Sequence, residues 1–152
     1  MNSLELSLYE ASRLFLFPIL LLIAAALAYA FVSLGMFLAE ALQRWRGSHR
    51  TVLEAGHSDD IELAIMKRLE LLRIVSRTAP MLGLVATMIP MGPALLGLGR
   101  GDAASVGENL VVAFSSVILA LVAASITFFI LTIRRRWLLE ELRVIERARG
   151  VV

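Results

Sequence analysis

Three uncharged apolar stretches dominate the sequence: Leu14–Ala39, Thr78–Leu98 and Asn109–Ile133. Each meets the roughly 20 residues a helix needs to cross about 30 Å of hydrocarbon. They predict an all-α chain of three transmembrane helices, spanning about 14–42, 78–98 and 107–133, within one membrane domain covering residues 1–152. The remaining segments, 43–77 and 134–152, read as helical extensions outside the bilayer.

Composition agrees. Hydrophobic residues make up 59% of the 152 and charged residues 18%, against roughly 25% charge in a soluble domain. No separate soluble catalytic domain fits in this length. There are no cysteines, which excludes disulfides and thiolate metal sites. The two histidines, His49 and His57, sit in one hydrophilic loop without further ligand-type neighbours, so no metal and no cofactor is implied. No nucleophile–base pair, phosphate loop or dinucleotide fingerprint is present, and an enzyme reading has no support.

Charge sets the expected orientation. Seven of the fifteen Lys and Arg residues lie between Arg44 and Arg77 and six follow the third stretch, leaving Arg13 and Arg100 elsewhere. The positive-inside rule then makes 43–77 and 134–152 cytoplasmic, with the N-terminus and the 99–108 turn outside an inner or plasma membrane. This topology also explains the basic loop without nucleic acid. Glu5 and Glu10, with no early positive charge and a long apolar run behind them, read as the lead of a true first span rather than a cleavable signal.

Within the chain, Ala24, Ala25, Ala26 and Ala28 offer a small face for close helix approach. Asp59 and Glu62 resemble a capping box. Ile61, Ile65, Leu69 and Leu72 then recur at helical spacing, predicting an amphipathic helix that packs on the tail or on a neighbouring copy. Pro90 and Pro93 predict a bent or broken end to the second span. Gly97, Gly99 and Gly101 mark the turn, and Arg136 and Glu140 can pair one turn apart.

The candidate chemistry is hydroxylic. Small residues recur in steps of three and four at Ala79, Gly83, Ala86/Thr87, Pro90, Ala94 and Gly97, and again at Ala113, Ser116, Ala120, Ala123/Ala124 and Thr127. Thr87 falls roughly 14 Å from the start of its span, near the midplane. Ser116 falls roughly 10 Å from the opposite surface. Thr87, Ser115 and Ser116 could line a proton path, with Pro80, Gly83, Pro90 and Ala120 as pore-facing small or helix-bending residues. Equally, tight packing accounts for both stripes, and such hydroxyls commonly bond to backbone for about 0.6–2 kcal/mol. A proton relay at membrane depth needs an ionisable group. The second and third stretches have none, so a conducting chain requires a partner's acid.

The segment Ala79-Pro80-Met81-Leu82-Gly83-Leu84-Val85-Ala86-Thr87-Met88 resembles the A-P-x-L-G-L-x-G-T motif of the MotA/TolQ/ExbB proton-channel family. Asn109 to Thr127 is more loosely similar to that family's A-L-x-T-T-A-x-G-L-x-A-A-I-P segment. The resemblance covers roughly residues 70–135. It implies a homo-pentameric ring whose second and third helices line a pore around a single-span ExbD/TolR/MotB-like partner bearing a membrane aspartate. Protons, or Na⁺, passing that carboxylate would then drive a membrane motor. The family's second-span threonine carries over to Thr87. Its third-span threonine falls at Val117, its acidic residue at Val112, and its glycine before the threonine at Ala86. These departures leave an alternative, a non-conducting oligomeric scaffold. A small-solute transporter would need a polar pocket that the sequence does not display.

Overall fold

The computed structural model describes residues 3–46 and 58–148. They form three long helices: α1 (Ser3–Trp45), α2 (Ser58–Gly99) and α3 (Ala103–Ala148). All three contain a segment long and apolar enough to cross a membrane. At 1.5 Å per residue, helices of 43, 42 and 46 residues run about 63–69 Å. That is roughly twice the hydrocarbon thickness, so each span continues as helix well past its apolar stretch.

α2 and α3 form an antiparallel hairpin, and its turn is built from a few residues. Gly101 has a φ of +71°, a conformation glycine adopts without strain. Its N–H donates to the Leu98 carbonyl at 3.1 Å, and the Asp102 N–H donates to the Gly97 carbonyl at 2.9 Å. This paired closure satisfies the last carbonyls of α2. Asp102 then accepts a hydrogen bond from the Ser105 N–H at 3.2 Å, capping α3. The turn falls where the sequence marks it, and the second span is not broken at its prolines. α2 stays helical through Pro80, Pro90 and Pro93 up to Gly99. Lipid offers no water to free backbone groups, so unbroken helix is favoured where neighbouring helices can compensate.

α1 lies against one side of the hairpin. A Cβ added at Gly92 would sit 3.2 Å from the Tyr9 ring, which places the start of α1 beside the α2–α3 turn. The far end of α1 reaches the charged ends of the other helices. Three core layers follow one another along the bundle. Ile23 packs with Ala86 and Ala120, Ala30 with Ala79, Ala123 and Ala124, and Phe37 with Leu69, Leu72, Ile130, Leu138 and Leu142. The contact line of α1 is therefore Ile23, Ala26, Ala30, Ser33 and Phe37. Ala24, Ala25 and Ala28 face outward, so the alanine run supplies only one edge of the expected face. Leu69 and Leu72 do pack against the tail through Leu138 and Leu142, as the amphipathic pattern predicted. The side chains of Ile61, Glu62 and Ile65 and the histidine loop lie outside the described residues.

Candidate functional site

Small residues close the hairpin seam. Ala79, Gly83, Ala86, Pro90, Ala94 and Gly97 of α2 are buried, as are Ala113, Ser116, Ala120, Ala123, Ala124 and Thr127 of α3. A Cβ on Gly83 would approach the Ala120 Cβ to 2.8 Å and the Val117 Cγ2 to 3.5 Å. Gly83, Pro90 and Ala120 were candidates for a pore wall. At Gly83 and Ala120 that space is filled by the facing helix, because two backbones come together only where side chains are small; Pro90 is buried within the chain.

The three candidate hydroxyls separate. Ser116 is 4% exposed, and its Oγ donates to the Val112 carbonyl at 2.6 Å. Its neighbour Ser115 is exposed, one 100° helical step away. Thr87 is half-buried. Its Oγ1 donates to the Leu84 carbonyl at 2.6 Å while remaining open to the outside of the bundle. Gly97 packs near Val106; ten residues inward on each helix stand Thr87 and Ser116, which are thus level along the hairpin. Level does not mean facing. Ser116 falls in the seam with Ala113 and Ala120, whereas Thr87 stands one step off it.

Thr87 belongs to the side of the hairpin turned away from α1. The contacts with α1 use Leu82 and Ala86 on α2 and Ala123, Ile126 and Ile130 on α3. Arg73, Arg77, Pro80, Leu84 and Thr87 recur in steps of three and four on another stripe of α2. Val117, Leu121, Ser125, Phe128, Thr132 and Arg135 do the same on α3. The two stripes meet at the charged end, where Arg73, Arg77, Phe128, Thr132 and Arg135 line one cavity. They therefore flank a single groove. Between the turn and the charged end its hydroxyls are Thr87 on α2 and Ser125 on α3, the latter donating to the Leu121 carbonyl, and near the level of Thr87 it offers Val117 rather than a second hydroxyl.

At the charged end, α1 and α3 are clasped by ion pairs. Arg134 Nη2 lies 2.9 Å from Glu40 Oε2, and Arg44 pairs with Glu141. The Arg44 guanidinium also sits 4.6 Å above the Trp137 ring, and Trp137 stacks on Phe37 at 5.3 Å with 13° between planes. Sequence reasoning missed this clasp. Its signal was a glutamate and an arginine one turn apart on α1, matched by an arginine and a glutamate two turns apart on α3. The one pair expected from spacing, Arg136–Glu140, is present at 2.9 Å.

A helical hairpin sealed by small residues, a third span laid on one side and long helical extensions define a multi-pass membrane protein. The profile of the MotA/TolQ/ExbB proton channel family matches residues 30–147, and the chain belongs to that family. No curated protein and no solved structure matches it.

Proposed function

We propose that this chain is a proton-channel, stator-like subunit of a motor driven by ion-motive force. In this reading several copies, five by the family resemblance, form a ring with α1 outermost and the Thr87 groove turned inward. The lumen receives a single-span partner that brings the titrating carboxylate, because the second and third apolar stretches of this chain, 78–98 and 109–133, carry no ionisable side chain. The Thr87 hydroxyl orients water or bonds that carboxylate. One charge crossing 100 mV delivers about 2.3 kcal/mol, and the rigid hairpin transmits the resulting motion. The charged end faces the cytoplasm by the positive-inside rule. The chain performs no covalent chemistry of its own.

The observation that carries the reading is the placement of Thr87. It is the one hydroxyl of the family-like second-span motif, it lies near mid-depth, and it opens onto the groove rather than into the seam. Thr87→Val should abolish coupled proton flux in reconstituted vesicles while leaving the assembly intact, and Thr87→Ser should restore part of the flux. Normal flux in Thr87→Val would remove Thr87 from the mechanism. A second reading, a non-conducting oligomeric scaffold, is favoured by Val117 opposite Thr87 and by the burial of Ser116. It expects the wild-type complex to assemble with its partner and pass no protons.

A further inference from the structure

Beyond the clasp, the charged end holds a second group of cations that the proposed mechanism does not use. Arg73 and Arg77 of α2 converge with Arg135 of α3 on a cavity of about 730 Å³, with Ser76, Thr132 and Phe128 also in its wall. All three arginines are exposed, and none is paired with a carboxylate among the described residues. The acids of the same helices do not neutralise them. Glu40 and Glu141 are held in the clasp, and Glu140 is held by Arg136. Glu62 and Glu146 stand eleven residues from Arg73 and Arg135 respectively, about 17 Å of helix rise toward the far ends. Glu70, one turn before Arg73, makes no ion pair among the described residues, and it offers one carboxylate against three guanidiniums. Both hydroxyls already donate to their own helices, Ser76 to the Arg73 carbonyl and Thr132 to the Phe128 carbonyl. The donors left free are guanidinium N–H groups, whose planar forks match carboxylate oxygens two at a time.

We infer that this cluster docks an acidic segment of the single-span partner, just beyond the end of that partner's membrane helix. The inference rests on the inward-facing groove proposed above and adds a second, electrostatic contact to it. The cavity is the charged end of the Thr87 groove, so a chain that follows the groove out of the membrane passes these arginines. A ring repeats the triad once per copy around one lumen, and like charges gathered there disfavour assembly until counter-charges enter. Positive-inside topology accounts for cations on this side of the membrane, but it does not require two distant segments to aim theirs into one cavity. The helix register then sets where the partner's acids lie. Arg77 and Arg73 stand ten and fourteen residues from Thr87, or about 15–21 Å of helix rise. A helical partner whose titrating carboxylate meets Thr87 carries its docking acids about ten to fourteen residues further toward the charged end. Their pairing with the arginines holds the partner at the depth where the titrating carboxylate and Thr87 are level.

The test uses the full chain, as it assembles, in phosphatidylcholine nanodiscs, with fluorescein-labelled hexaglutamate as the probe. Fluorescence anisotropy should show wild type binding the probe, and Arg73→Gln/Arg77→Gln/Arg135→Gln binding it about tenfold more weakly or worse. Arg135→Gln alone, a single surface change, should lose about threefold. A charge-matched control, Arg46→Gln/Lys67→Gln/Arg147→Gln, should bind as wild type does. Equal loss in the control, or no loss in the first triple, overturns the site. A synthetic leucine–alanine membrane helix with one aspartate at mid-length tests the spacing. Two glutamates placed ten residues further toward the charged end should tighten its association with the chain about tenfold over two glutamines there, and equal association overturns the partner assignment. Distances between copies from Thr87→Cys spin labels report the ring independently. Close labels without hexaglutamate binding overturn this site alone. Labels spread around the rim with hexaglutamate bound put the acid site outside any lumen, and overturn the partner assignment together with the ring.

Discussion

The two halves of the bundle hold together by different chemistry. Toward the α2–α3 turn, Gly83, Ala86, Ala120 and Ala123 bring backbones together with almost no side chain between them. Toward the charged end, Phe37, Leu72, Trp137 and Leu138 fill a wider gap, ringed by the Glu40–Arg134 and Arg44–Glu141 pairs. The surrounding medium accounts for the difference. Among lipid tails, burying a leucine gains little over leaving it exposed, so association rests on close van der Waals fit. Where helices emerge into water, burying large apolar groups is favourable again, and ion pairs can fix the register of one helix on another.

The comparison can be broken from either end. The largest effect is expected toward the charged end. Phe37→Ala removes an edge contact with Phe129 at 6.2 Å and the stack on Trp137 at 5.3 Å, and should destabilise the bundle by about 3–5 kcal/mol. Thermal unfolding in detergent would read it, and a wild-type midpoint would show that this layer is not a core. Next comes the seam. Gly83→Ala should lower stability by about 1–3 kcal/mol through overpacking, and Ala120→Gly in the same chain should recover most of it. A missing rescue would mean the two positions do not meet. The smallest effect belongs to Arg136→Ala. Its pair with Glu140 is exposed on both sides, and such i,i+4 pairs contribute about 0.3–0.5 kcal/mol; a large loss would imply a contact beyond that pair.

Much of this was legible in the sequence because hydropathy and length act residue by residue. The spans, the turn at Gly101 and the tail packing of Leu69 and Leu72 follow from patterns internal to one helix. What stayed hidden depends on register between helices. The small-residue stripes suited a pore or a seam equally, and only the approach of Gly83 to Ala120 shows that these two faces meet each other. Thr87 and Ser116 looked like one polar path because both sit among small residues. Yet Ser116 steps with Ala113 and Ala120 into the seam, while Thr87 steps with Pro80 and Leu84 onto the open groove. The Glu40–Arg134 and Arg44–Glu141 clasp needs α1 and α3 aligned over more than ninety residues of intervening chain, which no local pattern encodes. The continuity of α2 through Pro90 and Pro93 reflects the same dependence on neighbours.

The account turns on which side of the hairpin faces the middle of an assembly. The chain has no cysteine, so single introduced cysteines give unambiguous spin labels. Pulsed electron spin resonance on the assembled complex would compare distances between copies for Thr87→Cys and for Phe17→Cys, an exposed site on α1. The account requires Thr87 labels to lie markedly closer to one another than Phe17 labels. Phe17 labels clustered inside with Thr87 labels spread around the rim, or no distances between copies at all, would contradict it.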